Sequence, residues 1–97
     1  MQRKDIVLDK IREKGEELQQ FKVSSLFLFG SVARGEENFD SDIDLLVEFI
    51  EPVGLFTFVR LKIYLEELLD AKIDLVTSEA LKERLRDRIL KEAIRAA

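Results

Sequence analysis

Residues Leu26–Phe49 read LFLFGSVARGEENFDSDIDLLVEF. Two apolar runs with strand character flank a polar middle that contains Gly30 and Gly35. The second run is the constraint, because Asp42 and Asp44 sit inside it. A carboxylate buried without a partner loses its hydration at high cost. The fold must therefore turn these two side chains towards something that compensates them. Strand geometry says how: side chains alternate, so Asp42 and Asp44 share one face, about 7 Å apart at a rise of ~3.3 Å per residue. Ile43 and Leu45 then point the other way, into a core.

The rest of the chain must supply that core within 97 residues. This length predicts a single domain over 1–97 built of two layers. Hydrophobic residues at 46% favour a folded domain over a disordered chain. Asp5 to about Gln20 reads as one helix, with Val7, Ile11 and Leu18 on a stripe and Gly15 as a weak point or a place of close approach. Val23–Phe29 reads as a strand stopped by Gly30, Ser31–Gly35 as a short helix or turn, and Glu36–Ser41 as a polar loop. Asp42–Phe49 is the second strand, and Glu51-Pro52-Val53-Gly54 a turn. Leu55–Leu69 is a helix with a wide apolar face. An exposed part of it, including Phe56, Val59 or Tyr64, would suit a partner or self-association. Lys72–Thr77 is a third strand. Ser78 reads as the N-cap of a last helix running from Leu81 to about Arg95, with Asp87–Lys91 and Arg88–Glu92 as i,i+4 pairs on its wet side. The order predicts an α/β (α+β) fold, a small sheet with helices packed on it.

Residue counts narrow the chemistry. There is no Cys and no His. Disulfides, thiolate nucleophiles, Cys or His metal sites, and a Ser-His-Asp triad are all excluded. Catalysis would have to come from carboxylates, Lys, Arg, Ser, Tyr and bound metal. The net charge of −4 carries no footprint for general nucleic-acid binding. No apolar run reaches a membrane span and the N-terminus leads into no signal-peptide core, so the cytoplasm is the expected location.

Two carboxylates on one strand face repel unless a cation sits between them. Hard carboxylate oxygens suit Mg²⁺, which is typically shared with substrate phosphates. Asp74 repeats the anomaly inside the third apolar strand and is the natural third carboxylate. Gly30 permits a tight turn, and Ser31 at the following helical turn offers a hydroxyl and backbone N–H groups to a phosphate. Arg34 could add a charged fork. Each assignment has a plainer rival. Ser31 could cap the turn, Arg34 could pair with Glu36 or Glu37, and Asp74 could simply face water.

The composite is more specific than its parts. Gly30-Ser31, ten intervening residues and then Asp42-Ile43-Asp44 between apolar runs resemble the active-site signature of the DNA polymerase beta-like nucleotidyltransferase superfamily. The string GSVARGEENFDSDIDLLVEF, with LEELLDAKIDLVT and LKERLRDRILKEAI, is similar to its MNT-type, minimal branch. The resemblance covers nearly all of the chain from about Ser25. It implies a minimal nucleotidyltransferase core with a small mixed sheet, and AMP transfer from ATP with Mg²⁺ in a two-ion site. It implies a HEPN-domain RNase toxin as partner, a tyrosine of that toxin as the acceptor, and an antitoxin role. By position it carries Gly30, Ser31 and Arg34 over as nucleotide-binding, and Asp42, Asp44 and Asp74 as metal ligands and catalytic groups. The chain has no room for the second domain that larger members use to hold base or acceptor, so a partner protein would complete the site. Two rivals remain: a non-catalytic antitoxin that neutralises its partner by complex formation, and a transferase acting on a small hydroxylated molecule. Self-association of this chain is a further possibility.

Overall fold

The computed structural model describes residues 2–36 and 42–97. Helices α1 (Arg3–Arg12) and α2 (Gly15–Gln20) lead into β1 (Val23–Phe29), α3 (Gly30–Arg34) and β2 (Ile43–Phe49). After these come α4 (Leu55–Leu69), β3 (Ile73–Thr77), a 3-10 turn at Ser78–Ala80, α5 (Glu83–Glu92) and β4 (Ile94–Arg95). The four strands form one mixed sheet in the order β3-β2-β1-β4. β1 is antiparallel to both β2 and β4, whereas β2 and β3 run parallel. The small mixed sheet with packed helices agrees with the expected fold class.

Register settles which side chains share a face. Leu26, Leu28, Ile43, Leu45, Val47, Ile73 and Leu75 line one face and are all buried. Helices α1 and α4 cover that face through Val7, Leu8, Ile11, Leu61, Leu65 and Leu69. Leu61, Leu65 and Leu69 recur every four residues, so α4 buries one stripe. Its opposite side stays open: Leu55 is 74% exposed and Phe56 83%, with Val59 and Ile63 also exposed. Tyr64 does not belong to that open side, because its ring packs on Phe21 at a centroid distance of 5.3 Å.

Five expectations are corrected. The single N-terminal helix is two, broken after Arg12, where Lys14 adopts φ −111. Beyond its own helix and chain neighbours, no described atom lies within 4 Å of a Cβ built on Gly15, so close approach is not the reason for that glycine. Ser78 does not cap the last helix: it lies in a 3-10 turn capped by Thr77, whose hydroxyl accepts from Ala80 N–H, and the cap position of α5 is Lys82, with no side-chain cap bond. The last helix stops at Glu92. Local propensity would let Ala93-Ile94-Arg95-Ala96-Ala97 continue it, but the open edge of β1 offers unpaired backbone groups. Ile94 and Arg95 pair with Leu28 and Phe27, and Leu26 exchanges bonds with Ala96 and Ala97 at 2.7–3.1 Å. Neither i,i+4 pair forms within α5. Glu92 reaches across to Arg34 instead, at 3.6 Å. The loop expected over Glu36–Ser41 falls, from Glu37 onward, outside the described residues.

Candidate active site

The second face of the sheet holds the site. Phe29, Asp44 and Asp74 are direct cross-strand neighbours, so β1 ends where β2 and β3 begin. Asp44 and Asp74 therefore point to the same side, away from the packed core. This answers how two carboxylates fit apolar strands: only their flanking residues enter the core. Asp42 stands one residue before β2 and is exposed, as is Asp74, whereas Asp44 is half-buried.

The parallel register brings Asp44 and Asp74 within hydrogen-bonding reach. Burial raises the Asp44 carboxyl from its ordinary 3.8 to about 6. The charge and hydrogen bond of Asp74 push it the same way, Asp42 adds to this, and Arg34 opposes it. Among the described residues no three acidic side chains gather closely enough to hold a metal ion between them. The structure thus joins Asp44 to Asp74 and leaves Asp42 at the strand entrance, acting on Asp44 through its charge.

Gly30 is required at this point for two reasons. Its φ is +77, in the left-handed region that side chains avoid. A Cβ built on it would also overlap Oδ2 of Asp44. The glycine that ends β1 therefore makes room for the carboxylate on β2. Ser31 is the second residue of α3, not its cap, since Phe29 occupies the cap position. Its hydroxyl makes no side-chain hydrogen bond among the described residues. It is half-buried, one residue after the glycine that abuts Asp44. A five-residue helix has little dipole, so any anion cradle here depends on Ser31 and on backbone bared by Gly30.

Arg34 carries the pairing expected as its rival role. Its Nε donates to Glu36 at 2.9 Å, and a second nitrogen lies 3.6 Å from Glu92. The hydrogen bond to Glu36 raises its already high pKa further. Glu37, the other partner considered, lies outside the described residues. Arg34 still reaches the site by its field, because it lowers the Asp44 pKa.

One wall has no counterpart among the sequence expectations. Helix α5 stands over the site face and leaves an open groove of about 460 Å³ that includes Gly30, Arg34 and Asp74. Leu85, Arg88 and Ile89 line it from the helix. Their spacing of 3 and 4 in the sequence marks a helical stripe, but nothing local says that it faces the carboxylates.

The nucleotidyltransferase domain family matches residues 8–96 of the chain. The chain belongs to this nucleotidyltransferase family. Its activity class is accordingly nucleotidyl transfer. The chain is 41% identical over 81 residues to the protein adenylyltransferase MntA of Thermococcus cleftensis, covering 84% of this chain and 82% of the relative. A solved structure described as a minimal nucleotidyltransferase superposes with a TM-score of 0.81 at 41% identity, covering 97% of this chain and 95% of that one. The fold also recurs, at 20% identity and a TM-score of 0.66, in a complex of a tri-AMPylated Shewanella oneidensis HEPN toxin with an MNT antitoxin. That match covers 93% of this chain and 71% of the other.

Proposed function

We propose that this nucleotidyltransferase, acting as a single domain over 1–97, transfers AMP from ATP to a tyrosine hydroxyl of a HEPN-type toxin and thereby acts as its antitoxin. The observation that carries this reading is the Asp44–Asp74 pair beside Gly30-Ser31, two carboxylates held together with one carboxyl raised to about 6. Such a pair favours a cation, and an all-carboxylate donor set suits a hard divalent ion such as Mg²⁺ that shares phosphate oxygens. Asp42, Asp44 and Asp74 would hold it, in a one- or two-ion arrangement. The ion would supply charge neutralisation on the phosphates. Ser31 donates to a phosphate oxygen, and Gly30 lets the backbone come close. Arg34 adds positive charge at the rim. Asp74, exposed at the start of β3, takes the proton of the attacking hydroxyl. The hydroxyl oxygen bonds to the α-phosphorus, the bond between the α- and β-phosphoryl groups breaks, and pyrophosphate leaves. Supporting this reading is the relative named protein adenylyltransferase, and the recurrence of the fold in an MNT antitoxin bound to an AMPylated HEPN toxin.

The second reading, neutralisation by binding alone, has one observation in its favour. Leu55, Phe56, Val59 and Ile63 form an exposed apolar strip on α4. That strip faces away from the sheet, so a partner seated only there could not present an acceptor to Asp74. The experiment combines the chain, a HEPN-type partner from the adjacent gene, Mg²⁺ and α-labelled ATP. Label on the partner that is lost in the Asp42→Asn, Asp44→Asn double variant supports transfer. Neutralisation that survives the double variant without any label refutes it.

A further inference from the structure

Helix α5 is amphipathic, yet none of its residues is buried. An apolar stripe normally meets a core. Here Leu85, although it faces the sheet side, is 47% exposed, and with Leu81 and Ile89 it lines the groove instead of closing it. Phe29 and Val76 supply apolar surface from the sheet, and Gly30 and Asp74 belong to the same wall. The groove therefore opens onto Asp74, the partner of Asp44. Arg88 also lines it and forms no ion pair with any described residue.

These features select a ligand chemistry. A volume of about 460 Å³ is within the range of small-molecule sites and far exceeds what a lone serine or threonine hydroxyl needs. Among the described residues the walls are apolar or charged, with no neutral hydrogen-bonding side chain to read the edge of a purine. A phenol matches both properties: a ring to desolvate and an oxygen that carries negative charge once its proton is removed. The Arg88 guanidinium suits that oxygen.

We propose that the groove between α5 and the sheet seats the acceptor tyrosine of a second protein, with Leu85 and Ile89 against its ring and Arg88 beside its hydroxyl oxygen. This rests on the transfer reading above. The phenol oxygen bonds to the α-phosphorus, its proton passes to a carboxylate oxygen of Asp74, and pyrophosphate departs with the electrons of the broken phosphoanhydride bond.

Two arms test it. In the first, methyl NMR follows Leu81, Leu85 and Ile89 during titration with N-acetyl-tyrosinamide and, separately, with AMP-PNP and Mg²⁺. Shifts of these methyl groups by the tyrosine probe, abolished in Leu85→Trp, are expected. Shifts by AMP-PNP with none by the tyrosine probe overturn the assignment and place the nucleobase in the groove. In the second arm, AMP transfer to a tyrosine peptide is measured. Leu85→Ala should raise KM for the peptide about tenfold, with KM for ATP changed less than about twofold. Arg88→Gln should lower kcat and move the rising limb of the pH profile upward, a change that a merely structural residue would not produce. A tenfold rise in KM for ATP instead, or an equal effect on serine and tyrosine peptides, overturns the proposal. If wild-type protein binds the probe in the groove but transfers nothing, the transfer reading fails while the aromatic seat stands.

Discussion

Replacing Asp44 by Asn should make the metal-free protein more stable at neutral pH while abolishing transfer. Asp44 is half-buried and shares its surroundings with Asp74, which together raise its carboxyl from 3.8 to about 6. A raised carboxyl means that the fold disfavours the ionised form. Its contribution to stability is therefore greatest below the unfolded value and is lost as pH rises through about 6. A shift of this size corresponds to about 3 kcal/mol at full strength. Solvent reaches the half-buried group and screens it, which reduces the expected gain to about 1–2 kcal/mol. Asn keeps the size and can donate an amide hydrogen to Asp74, so little packing is lost. For a domain of this length the gain amounts to roughly 5–10 °C in Tm. The assay is thermal unfolding of both proteins in EDTA between pH 4 and 8. The difference should be fully present at pH 7.5 and shrink towards zero near pH 4. Mg²⁺ should then raise the wild-type Tm and leave the variant nearly unchanged. A variant less stable than wild type at pH 7.5, or a difference independent of pH, would mean that the carboxylate is no burden on the fold.

Gly30→Ala should destabilise the protein by about 2 kcal/mol or more and inactivate it, since the left-handed backbone alone costs about 1–2 kcal/mol and the added Cβ displaces Asp44. Urea unfolding and an ATP-dependent transfer assay report the two effects separately. Ser31→Ala should shift stability by less than about 0.5 kcal/mol, because its hydroxyl makes no side-chain hydrogen bond among the described residues. KM for ATP should rise roughly tenfold, the loss of one charge-assisted hydrogen bond. Truncation after Ala93 removes β4 and the backbone bonds to Leu26, and it bares the β1 edge. It should cost about 2 kcal/mol and promote association, visible as a lower urea midpoint and a larger species in light scattering.

Much of the site is legible in the amino-acid sequence because its signals are local. The apolar runs mark β1, β2 and β3, and each aspartate announces itself as a charge in the wrong company. Gly30 breaks a strand wherever it stands. Even the Leu55–Leu69 helix boundaries follow from its own pattern. What the sequence hides depends on distant partners. Ala93–Ala97 has the composition of a helix end, and only the unpaired edge of β1, far back along the chain, makes it a strand. Arg34 and Glu92 meet because α3 and α5 contact each other, which overrides the Arg88–Glu92 spacing along one helix.

The chain alone determined which chemistry is available, since lacking His and Cys it has only carboxylates, hydroxyls, Lys and Arg for acid–base, nucleophilic or metal-binding work. Two-residue alternation also predicts that Asp42 and Asp44 share a face, although β2 begins only at Ile43 and Asp42 stands just before it. Tertiary structure decided the rest. The parallel pairing of β2 with β3 is what sets Asp44 against Asp74, because strand register is fixed by burying one face and cannot be read from either strand separately. The same burial turns both carboxylates outward, beneath a helix whose apolar stripe has been left without a core.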